Sequence, residues 1–322
     1  MKVLITGGSG FIGTNIHEFI GTHYPNYQLI NVDIVKPKVN FSHSAWEECD
    51  ILNKEKLESI FEKHQPNCVI HFAAETSCEP NLVLKDYEVN TQGSQNVFEI
   101  ASNTKSVKTL IHTSTQFVNQ YDFPLKDFFA YRPHTVYGES KIVSEKLLLE
   151  NKYEFNWIIV RPTNVWGKWH LRYPQEFWKV LYEGKYIHPN NRGVVRSYGY
   201  VENICEQVIH FISNAEKLNG EVFYVGDEPV ALYDWVNAFS LALKGREVRT
   251  VPKQLVYLLG LIGDVLKFFG IKFPITTSRY RSMTTSNPAP MEKTFKEVGN
   301  PKVSLQEGVN KTSEWLKVEI YD

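Results

Sequence analysis

The stretch KVLITGGSGFIG, residues 2–13, joins a short aliphatic run to a glycine-rich turn. Glycines stand at positions 7, 10 and 13, where the strand-like run gives way to a helical pattern over 11–22. A glycine turn at this junction lets the backbone approach a pyrophosphate, which the N-terminus of the following helix attracts. The stretch therefore predicts a strand–turn–helix unit that binds a dinucleotide.

Short β-rich runs alternate with helical patterns through the first half of the chain. The predicted strands are 2–6, 27–33, 68–74, 107–114 and 156–162, and the predicted helices are 11–22, 54–64, 83–103 and 137–152. This alternation is typical of an α/β fold with a doubly wound, parallel, Rossmann-type sheet and helices on both faces.

The pattern loosens after Pro162. The helices predicted there are 174–184, 202–214, 232–243 and 254–268, and a single strand is predicted at 221–226. We expect an NAD-binding domain over 1–163 and a smaller, partly interleaved α/β substrate-binding region over 164–322. Part of the second region, about 196–226, is expected to return and pack on the Rossmann sheet.

The end of the second predicted strand bears on the choice of cofactor. It carries Asp33, twenty residues after Gly13. A carboxylate there accepts hydrogen bonds from both ribose hydroxyls of an adenosine and repels a 2′-phosphate, so Asp33 favours NAD over NADP. Lys36 and Lys38 lie just beyond and soften that preference.

Two further strand ends are predicted to line the cofactor. Asp50 and Ile51 follow the presumed third strand, where an adenine edge is bound. Ala73 and Ala74 end the fourth predicted strand, and their small side chains let the backbone pass close under the pyrophosphate and the nicotinamide ribose.

Composition excludes several classes of protein. Apolar residues make up 43% and charged residues 22% of the 322, and the formal net charge is −1, which argues against a protein that neutralises nucleic-acid phosphates. The four cysteines show no C-x-x-C spacing, and His71, His112 and His134 are isolated, so we expect reduced thiols, core histidines and no metal site. The longest apolar stretch, 255–270, is interrupted by charges and is too short for a membrane span, so we expect a soluble, cytoplasmic protein.

Several motifs follow the glycine loop in order. They are HFAAET (71–76), YEVNTQGSQNVFE (87–99), TSTQF (113–117), YGESK (137–141), RPTNVWG (161–167) and SLQEGVNKTSEWL (304–316). From Met1 to about Leu316 the chain resembles the extended short-chain dehydrogenase/reductases. Within them it is similar to the NAD-dependent nucleotide-sugar epimerase/dehydratase family.

This resemblance implies roles for individual residues. Tyr137 would be the catalytic acid/base, Lys141 its partner, Thr115 the group that orients the reacting oxygen, and Asn90 a structural and proton-relay residue. Asn164 and Arg196 would contact the nucleotide-sugar. The predicted cofactor-binding residues are Gly7, Gly10, Phe11, Ile12, Gly13, Asp33, Asp50, Ile51, Ala73, Ala74, Tyr137, Lys141 and Pro162.

The tyrosine–lysine spacing makes chemical sense by itself. A free tyrosine has a pKa near 10, and lowering it by about three units requires roughly 4 kcal/mol of differential stabilisation. Lys141 lies one helical turn after Tyr137 and supplies a positive charge on the same side. The phenolate then removes a proton from a sugar hydroxyl while hydride leaves the same carbon for the nicotinamide.

The two residues after Thr115 differ from those of some family members, and this difference reduces the number of reactions to be expected. The sugar-nucleotide 4,6-dehydratases of this family have an Asp-Glu pair directly after the catalytic threonine, whereas this chain has Gln116 and Phe117, which neither donate nor accept the required protons. We therefore predict a nucleotide-sugar epimerase that transiently oxidises sugar carbon 4.

Other interpretations stay open. One alternative is an NAD(P)H-dependent 4-keto-sugar-nucleotide reductase or dehydrogenase. A second, suggested by the apolar 255–270 stretch, is a hydroxysteroid-type dehydrogenase, and a third is a cofactor-sensing regulator without catalysis. The resemblance also implies a homodimer formed by the helices near 83–103 and 137–152.

Overall fold

The computed structural model describes residues 1–79, 81–119, 127–271 and 273–321. The chain divides into two compact units, each built from three separate segments. The first unit comprises Met1–Trp169, Gly199–Asp227 and Pro290–Lys302, and the second comprises His170–Tyr198, Glu228–Ala289 and Val303–Asp322.

The first unit is organised around a parallel sheet. Its strands are β1 (Lys2–Thr6), β2 (Gln28–Asp33), β3 (Ser44–Glu48), β4 (Cys68–His71), β5 (Thr109–Thr113), β6 (Asn156–Pro162) and β11 (Glu221–Val225), with a short β7 (Asn164–Trp166) outside the sheet. The order is β11-β6-β5-β4-β1-β2-β3, and every neighbouring pair is parallel. The predicted α/β class with a Rossmann-type sheet is confirmed.

Helices complete the first unit. They are α1 (Phe11–His23), α2 (Lys54–His64), α3 (Ser94–Asn103), α4 (Val136–Glu150), α6 (Val201–Ser213) and α10 (Glu292–Val298). The strands they cover read as continuous apolar runs, as expected for a parallel sheet buried on both faces. Leu4, Val69, Leu110 and Ile159 all belong to one buried core cluster.

The direction of the crossovers changes between β1 and β4. In a doubly wound sheet, a ligand binds in the crevice outside the carboxyl ends of the strands at such a switch point. β1 and β4 are adjacent and parallel, with Thr6 opposite His71, so the glycine turn and the segment after β4 leave the sheet side by side.

The predicted helix over 83–103 is interrupted. The chain there forms a short 3₁₀ turn at Leu84–Tyr87 and a π-helical turn at Val89–Gly93 before α3 begins. The fourth strand is also shorter than expected, since β4 stops at His71 and residues 72–79 have no regular secondary structure. Ala73 and Ala74 therefore lie beyond the strand rather than at its end.

The second unit consists of short strands and helices, more of them than the sequence predicted. They are α5 (Phe177–Tyr182), β8 (Ile187–Pro189), β9 (Val195–Arg196), β12 (Val230–Ala231), α7 (Leu232–Lys244), β13 (Arg249–Val251), α8 (Lys253–Phe268), α9 (Thr277–Thr284) and α11 (Leu305–Leu316). A further strand, β10 (Tyr198–Tyr200), crosses the sequence boundary between the units. Within the described ranges, no helix combines the length and the apolar character needed to cross a bilayer.

Candidate active site

The glycine loop is shaped so that side chains are excluded. Gly7 has φ +70°, and a Cβ there would lie 2.6 Å from the backbone nitrogen of Ala73. A Cβ on Gly13 would lie 2.5 Å from the carbonyl oxygen of Gly7. The loop thus packs directly against the segment after β4 and against the first turn of α1. Gly10, at the start of α1, has no side chain to cap the helix, and an uncapped helix N-terminus attracts an anion.

Asp33 closes the other side of this loop. Its Oδ2 accepts a hydrogen bond from the backbone N–H of Ser9 at 3.0 Å, and its Oδ1 accepts one from the N–H of Val35 at 2.9 Å. Each carboxylate oxygen has a further lone pair. The two hydroxyls of an adenosine ribose match those acceptors, so the chain's own groups fit the adenosine half of NAD.

The other predicted cofactor residues lie around the same end of the sheet. Ile51 is buried against Gly93, and Asp50 is exposed, with its Oδ1 accepting from the N–H of Leu52 at 2.9 Å. The backbone N–H of Ala73 donates to Thr6 Oγ1 at 3.3 Å. The remaining positions are Phe11 and Ile12 in the first turn of α1, Ala74 after β4, and Pro162 at the end of β6. Their contacts with a cofactor stay predictions.

Thr115, Tyr137 and Lys141 are brought together by α4 and the end of β5. Helix α4 begins beside Thr135, whose side chain accepts from the N–H of Gly138 and so caps the helix. Tyr137 and Lys141 lie one turn apart, and only 9% of Tyr137 and 1% of Lys141 is exposed. Tyr137 is hydrogen-bonded to the side chain of Thr115, which follows β5.

The surroundings of this cluster oppose ionisation of either group. Burial raises the pKa of Tyr137 well above its ordinary value, and the hydrogen bond with Thr115 partly offsets that effect. Burial also lowers the pKa of Lys141 to about 8, against a smaller opposing effect of Glu145. Proton transfer by Tyr137 near neutral pH would therefore need additional positive charge, which an oxidised nicotinamide ring would supply when bound.

Asn90 forms hydrogen bonds with two segments of the site, the one after β4 and the start of α4. Its Oδ1 accepts from the backbone N–H of Glu75 at 2.8 Å, and its Nδ2 donates to the Glu75 carbonyl at 2.9 Å and to Ser140 Oγ at 2.8 Å. Ser140 Oγ in turn donates to the carbonyl of Tyr137 at 2.7 Å. These hydrogen bonds fix the segment after β4 to the turn of α4 that carries Tyr137, while the proton-relay role of Asn90 stays a prediction.

Sequence reasoning missed a buried ion pair one turn beyond Lys141. Glu145 and Arg161 have fully buried side chains and form two hydrogen bonds, of 2.9 and 2.6 Å. Tyr131 donates to the same carboxylate at 2.7 Å, and the guanidinium lies 5.5 Å from the ring centroids of Tyr131 and Tyr224. The spacing of Glu145 from Lys141 was a signal, but its partner on β6 cannot be identified from a single sequence.

The residues expected to contact the substrate belong to different units. Asn164 is half-buried at the start of β7 in the first unit. Arg196 lies in β9 of the second unit, where its Nη2 donates to the carbonyls of Ser282 and Thr285. Its buried Nε has no hydrogen-bond partner within the described part of the chain. Their roles as substrate ligands stay predictions.

Two of the histidines singled out from the sequence are hydrogen-bonded core residues. His71 lies between Thr6 Oγ1 at 2.6 Å and Ser94 Oγ at 2.9 Å, and His112 contacts Ser144 Oγ at 2.9 Å. Burial lowers the pKa of both, so they are neutral in the folded chain. None of the four cysteines, all within the described ranges, forms a disulfide bond, and Cys78 is the exposed one of the four.

Comparison with known proteins relates this architecture to a family. The family model described as the NAD dependent epimerase/dehydratase family matches residues 3–226. The chain is 23% identical to a dTDP-D-glucose 4,6-dehydratase of Mus musculus, over 100% of this chain and 90% of the relative. It is 25% identical to an N-acetyl-alpha-D-glucosaminyl-diphospho-ditrans,octacis-undecaprenol 4-epimerase of Escherichia coli O157:H7, over 98% and 95%.

Among solved structures, the fold matches the UDP-glucuronic acid 4-epimerase of Bacillus cereus in complex with UDP-glucuronic acid and NAD. The TM-score is 0.76 at 19% identity, and the match covers 98% of this chain and 99% of the other. The match of the family model extends over more than half of the chain and includes the glycine loop, Thr115, Tyr137 and Lys141. The chain is therefore an enzyme of the NAD-dependent epimerase/dehydratase family, of the extended short-chain dehydrogenase/reductase type.

Proposed function

We propose that this enzyme is an NAD-dependent sugar 4-epimerase that oxidises carbon 4 of a diphosphate-linked sugar and reduces the resulting ketone on its other face. The observation that carries the proposal is the buried cluster of Thr115, Tyr137 and Lys141, combined with two neighbours that lack acid–base chemistry, Gln116 and Phe117. The cluster can transfer the proton of one hydroxyl, but it offers no second acid or base to expel a leaving group.

The roles of the three residues follow from their positions. Tyr137 Oη takes the proton of the carbon-4 hydroxyl during oxidation and returns it during reduction. Lys141 favours the phenolate through its charge, and Thr115 orients the hydroxyl that also contacts Tyr137. The glycine loop and Asp33 would hold NAD, which would accept the hydride and later return it. Atoms balance because the substrate regains the same proton and hydride equivalents.

Several relatives are dehydratases, and the residues after Thr115 bear on whether this chain also eliminates water. Elimination of water from the neighbouring carbons needs an acid for the leaving hydroxyl and a base for the proton. Gln116 is buried, with 6% of its surface exposed. The ring centroid of Phe117 lies 5.2 Å from that of His134 and 6.3 Å from that of Tyr137, and both ring pairs are edge-to-face. Neither side chain titrates, so we propose that the reaction ends with epimerisation rather than dehydration.

The carrier of the sugar is proposed at the level of its shared chemistry. The dTDP-glucose dehydratase and the UDP-glucuronic acid epimerase act on nucleotide-sugars, whereas the Escherichia coli relative acts on a sugar linked through diphosphate to undecaprenol. All three substrates contain a diphosphate. A guanidinium binds that group well, and we propose that of Arg196, whose Nη2 donates to two backbone carbonyls of its own unit, as the diphosphate ligand.

The 4-ketoreductase is the second candidate for the same site. It uses Tyr137 as the acid of a single reduction and exchanges its cofactor in every cycle. Asp33 argues for the epimerase, because its carboxylate favours NAD over the phosphorylated cofactor that reductases commonly draw upon. A cofactor held through both half-reactions makes the epimerase independent of added nicotinamide.

The test is conversion of UDP-glucose, UDP-glucuronic acid and dTDP-glucose without added cofactor, followed by chromatography and NMR of the sugar. We expect the 4-epimer of one of them, and a loss of about 10²–10⁴-fold in the Tyr137→Phe variant. Tyr153→Phe is the matched control, because this half-buried tyrosine lies beyond the end of α4 and its ring contacts Phe98 and Phe155.

Other products identify other reactions. A 4-keto-6-deoxy product would contradict the proposal in favour of dehydration. Turnover of a 4-keto sugar only with added NADPH would establish the reductase. A rise in melting temperature with sterols, but not with nucleotide-sugars, would favour the hydroxysteroid-type alternative.

A further inference from the structure

Helix α8 of the second unit presents an apolar face to the outside. Leu255, Leu258, Leu261, Ile262, Val265 and Phe268 recur every three or four residues and so share one side of the helix. Their exposure ranges from 42% at Leu261 to 85% at Phe268. We call these six residues the apolar face of α8.

The opposite side of α8 is fixed to its own unit. Val256, Gly260 and Gly263 are buried. A Cβ on Gly263 would clash with the carbonyl oxygen of Ile275, so the helix lies directly on the backbone that leads into α9. Asp264 accepts hydrogen bonds from the N–H and the hydroxyl of Thr277. The apolar face therefore points outward because of specific packing beneath it.

The segment that contains this helix is mostly basic, and one of its arginines, Arg279, lies 3.9 Å from the carboxylate of the exposed Glu176. Residues 249–289 contain six basic residues and one acidic residue, although the whole chain has a net charge of −1. Lys253 and Lys267 stand exposed in the first and last turns of α8, and Arg279 and Arg281 are exposed on α9, which packs against α8. The single acid, Asp264, is held by Thr277.

We propose that α8 docks the enzyme on an anionic lipid surface. A helix with an apolar side and flanking basic residues lies in the plane of a bilayer, with its apolar side among the acyl chains and its cations near the headgroups. At 16 residues, α8 is about 24 Å long, which suits an in-plane helix. A second copy of the chain is a poorer occupant, because two such basic surfaces repel each other.

The inference does not depend on the proposed reaction, since docking is measured without substrate. The full chain is floated with vesicles of phosphatidylcholine alone and of phosphatidylcholine mixed with phosphatidylglycerol. We expect binding to the mixed vesicles that weakens as salt is added. The double variant Val265→Ser, Phe268→Ser should bind at least about tenfold more weakly. Lys253→Gln combined with Lys267→Gln should lower binding to the mixed vesicles roughly fivefold per lysine.

The matched control is Leu241→Ser combined with Val318→Ser, two exposed apolar positions of the same unit outside α8. It should float like the unaltered chain. Absence of flotation with both kinds of vesicle would overturn the proposal. Equal flotation of the Val265→Ser, Phe268→Ser variant and the Leu241→Ser, Val318→Ser control would also overturn it. A lower molecular mass of the Val265→Ser, Phe268→Ser variant in sedimentation, without lipid binding by the parent, would assign the face to a second copy and also overturn it.

Discussion

At the scale of single residues, the account depends on a lysine that is charged although it is buried. Only 1% of Lys141 is exposed, and burial lowers its pKa to about 8. The charged form of Lys141 therefore prevails at neutral pH and is lost as the pH rises above about 8. In the proposed mechanism, the field of Lys141 and that of an oxidised nicotinamide favour the phenolate of Tyr137, which the burial of Tyr137 opposes.

Replacing Lys141 by Met should therefore change the pH dependence as well as the rate. We expect kcat to fall by about 10²-fold or more near neutral pH and to keep rising as the pH is raised, because Tyr137 then loses its proton only at higher pH. Lys146→Met, at an exposed position of the same helix, should leave the profile unchanged. A Lys141→Met enzyme whose profile matches that of the parent would remove Lys141 from the mechanism.

At the scale of the elements, α4 and β6 are joined by the buried Glu145–Arg161 pair. Removing one partner strands the other charge away from water, which costs about 3–5 kcal/mol. We therefore expect Glu145→Gln to lower the free energy of unfolding by roughly that amount in urea titrations. Glu150→Gln, at the exposed end of α4, should change it by less than about 0.5 kcal/mol.

The double variant tests whether the pair behaves as one unit. Glu145→Leu combined with Arg161→Met removes both charges and keeps apolar volume, so it should be more stable than Glu145→Gln alone. If the loss of stability in the double variant equals the sum of the losses in Glu145→Leu and Arg161→Met measured alone, the two residues act separately.

The sequence predicted those elements whose local pattern and tertiary environment agree. β1 and α2 have the bounds expected from periodicity, and the glycine turn lies at the predicted junction. The 3₁₀ and π turns before α3 were not predicted. Asn90, in the π turn, bonds to Glu75 and Ser140, and such contacts between residues distant in sequence leave no local pattern. The short strands of the second unit were missed because two- and three-residue ladders carry no periodic signal.

At the scale of the whole molecule, buried neutral histidines make stability depend on pH. Burial lowers the pKa of His17 to about 4 and that of His71 to about 3, and it also lowers that of His112. Between those values and the ordinary 6.5 the unfolded chain binds more protons, so stability falls as the pH falls. Burial raises the pKa of Asp227 to about 7, which opposes one histidine over part of that range.

The net effect should be a loss of at least about 2 kcal/mol between pH 7 and pH 5, since each unit of pH contributes about 1.4 kcal/mol per buried histidine. Urea unfolding at the two pH values measures it. His71→Asn should reduce the difference by roughly 2 kcal/mol. A free energy of unfolding that is equal at both pH values, or higher at pH 5, would contradict this assignment.

The assembly of the enzyme is also a property of this scale. The predicted homodimer through α3 and α4 stays a prediction, and sedimentation of the purified chain tests it. Helices α3 and α4 belong to the first unit, whereas α8, the proposed docking helix, belongs to the second.

The central claim is that the enzyme keeps its NAD through a complete cycle of oxidation and reduction. The most direct measurement is to denature the purified protein and to identify and quantify any nicotinamide that is released. We expect close to one NAD per chain, without a 2′-phosphate, because the carboxylate of Asp33 would repel that phosphate. A protein that emerges empty and binds NADPH reversibly would contradict the claim and would favour the 4-ketoreductase.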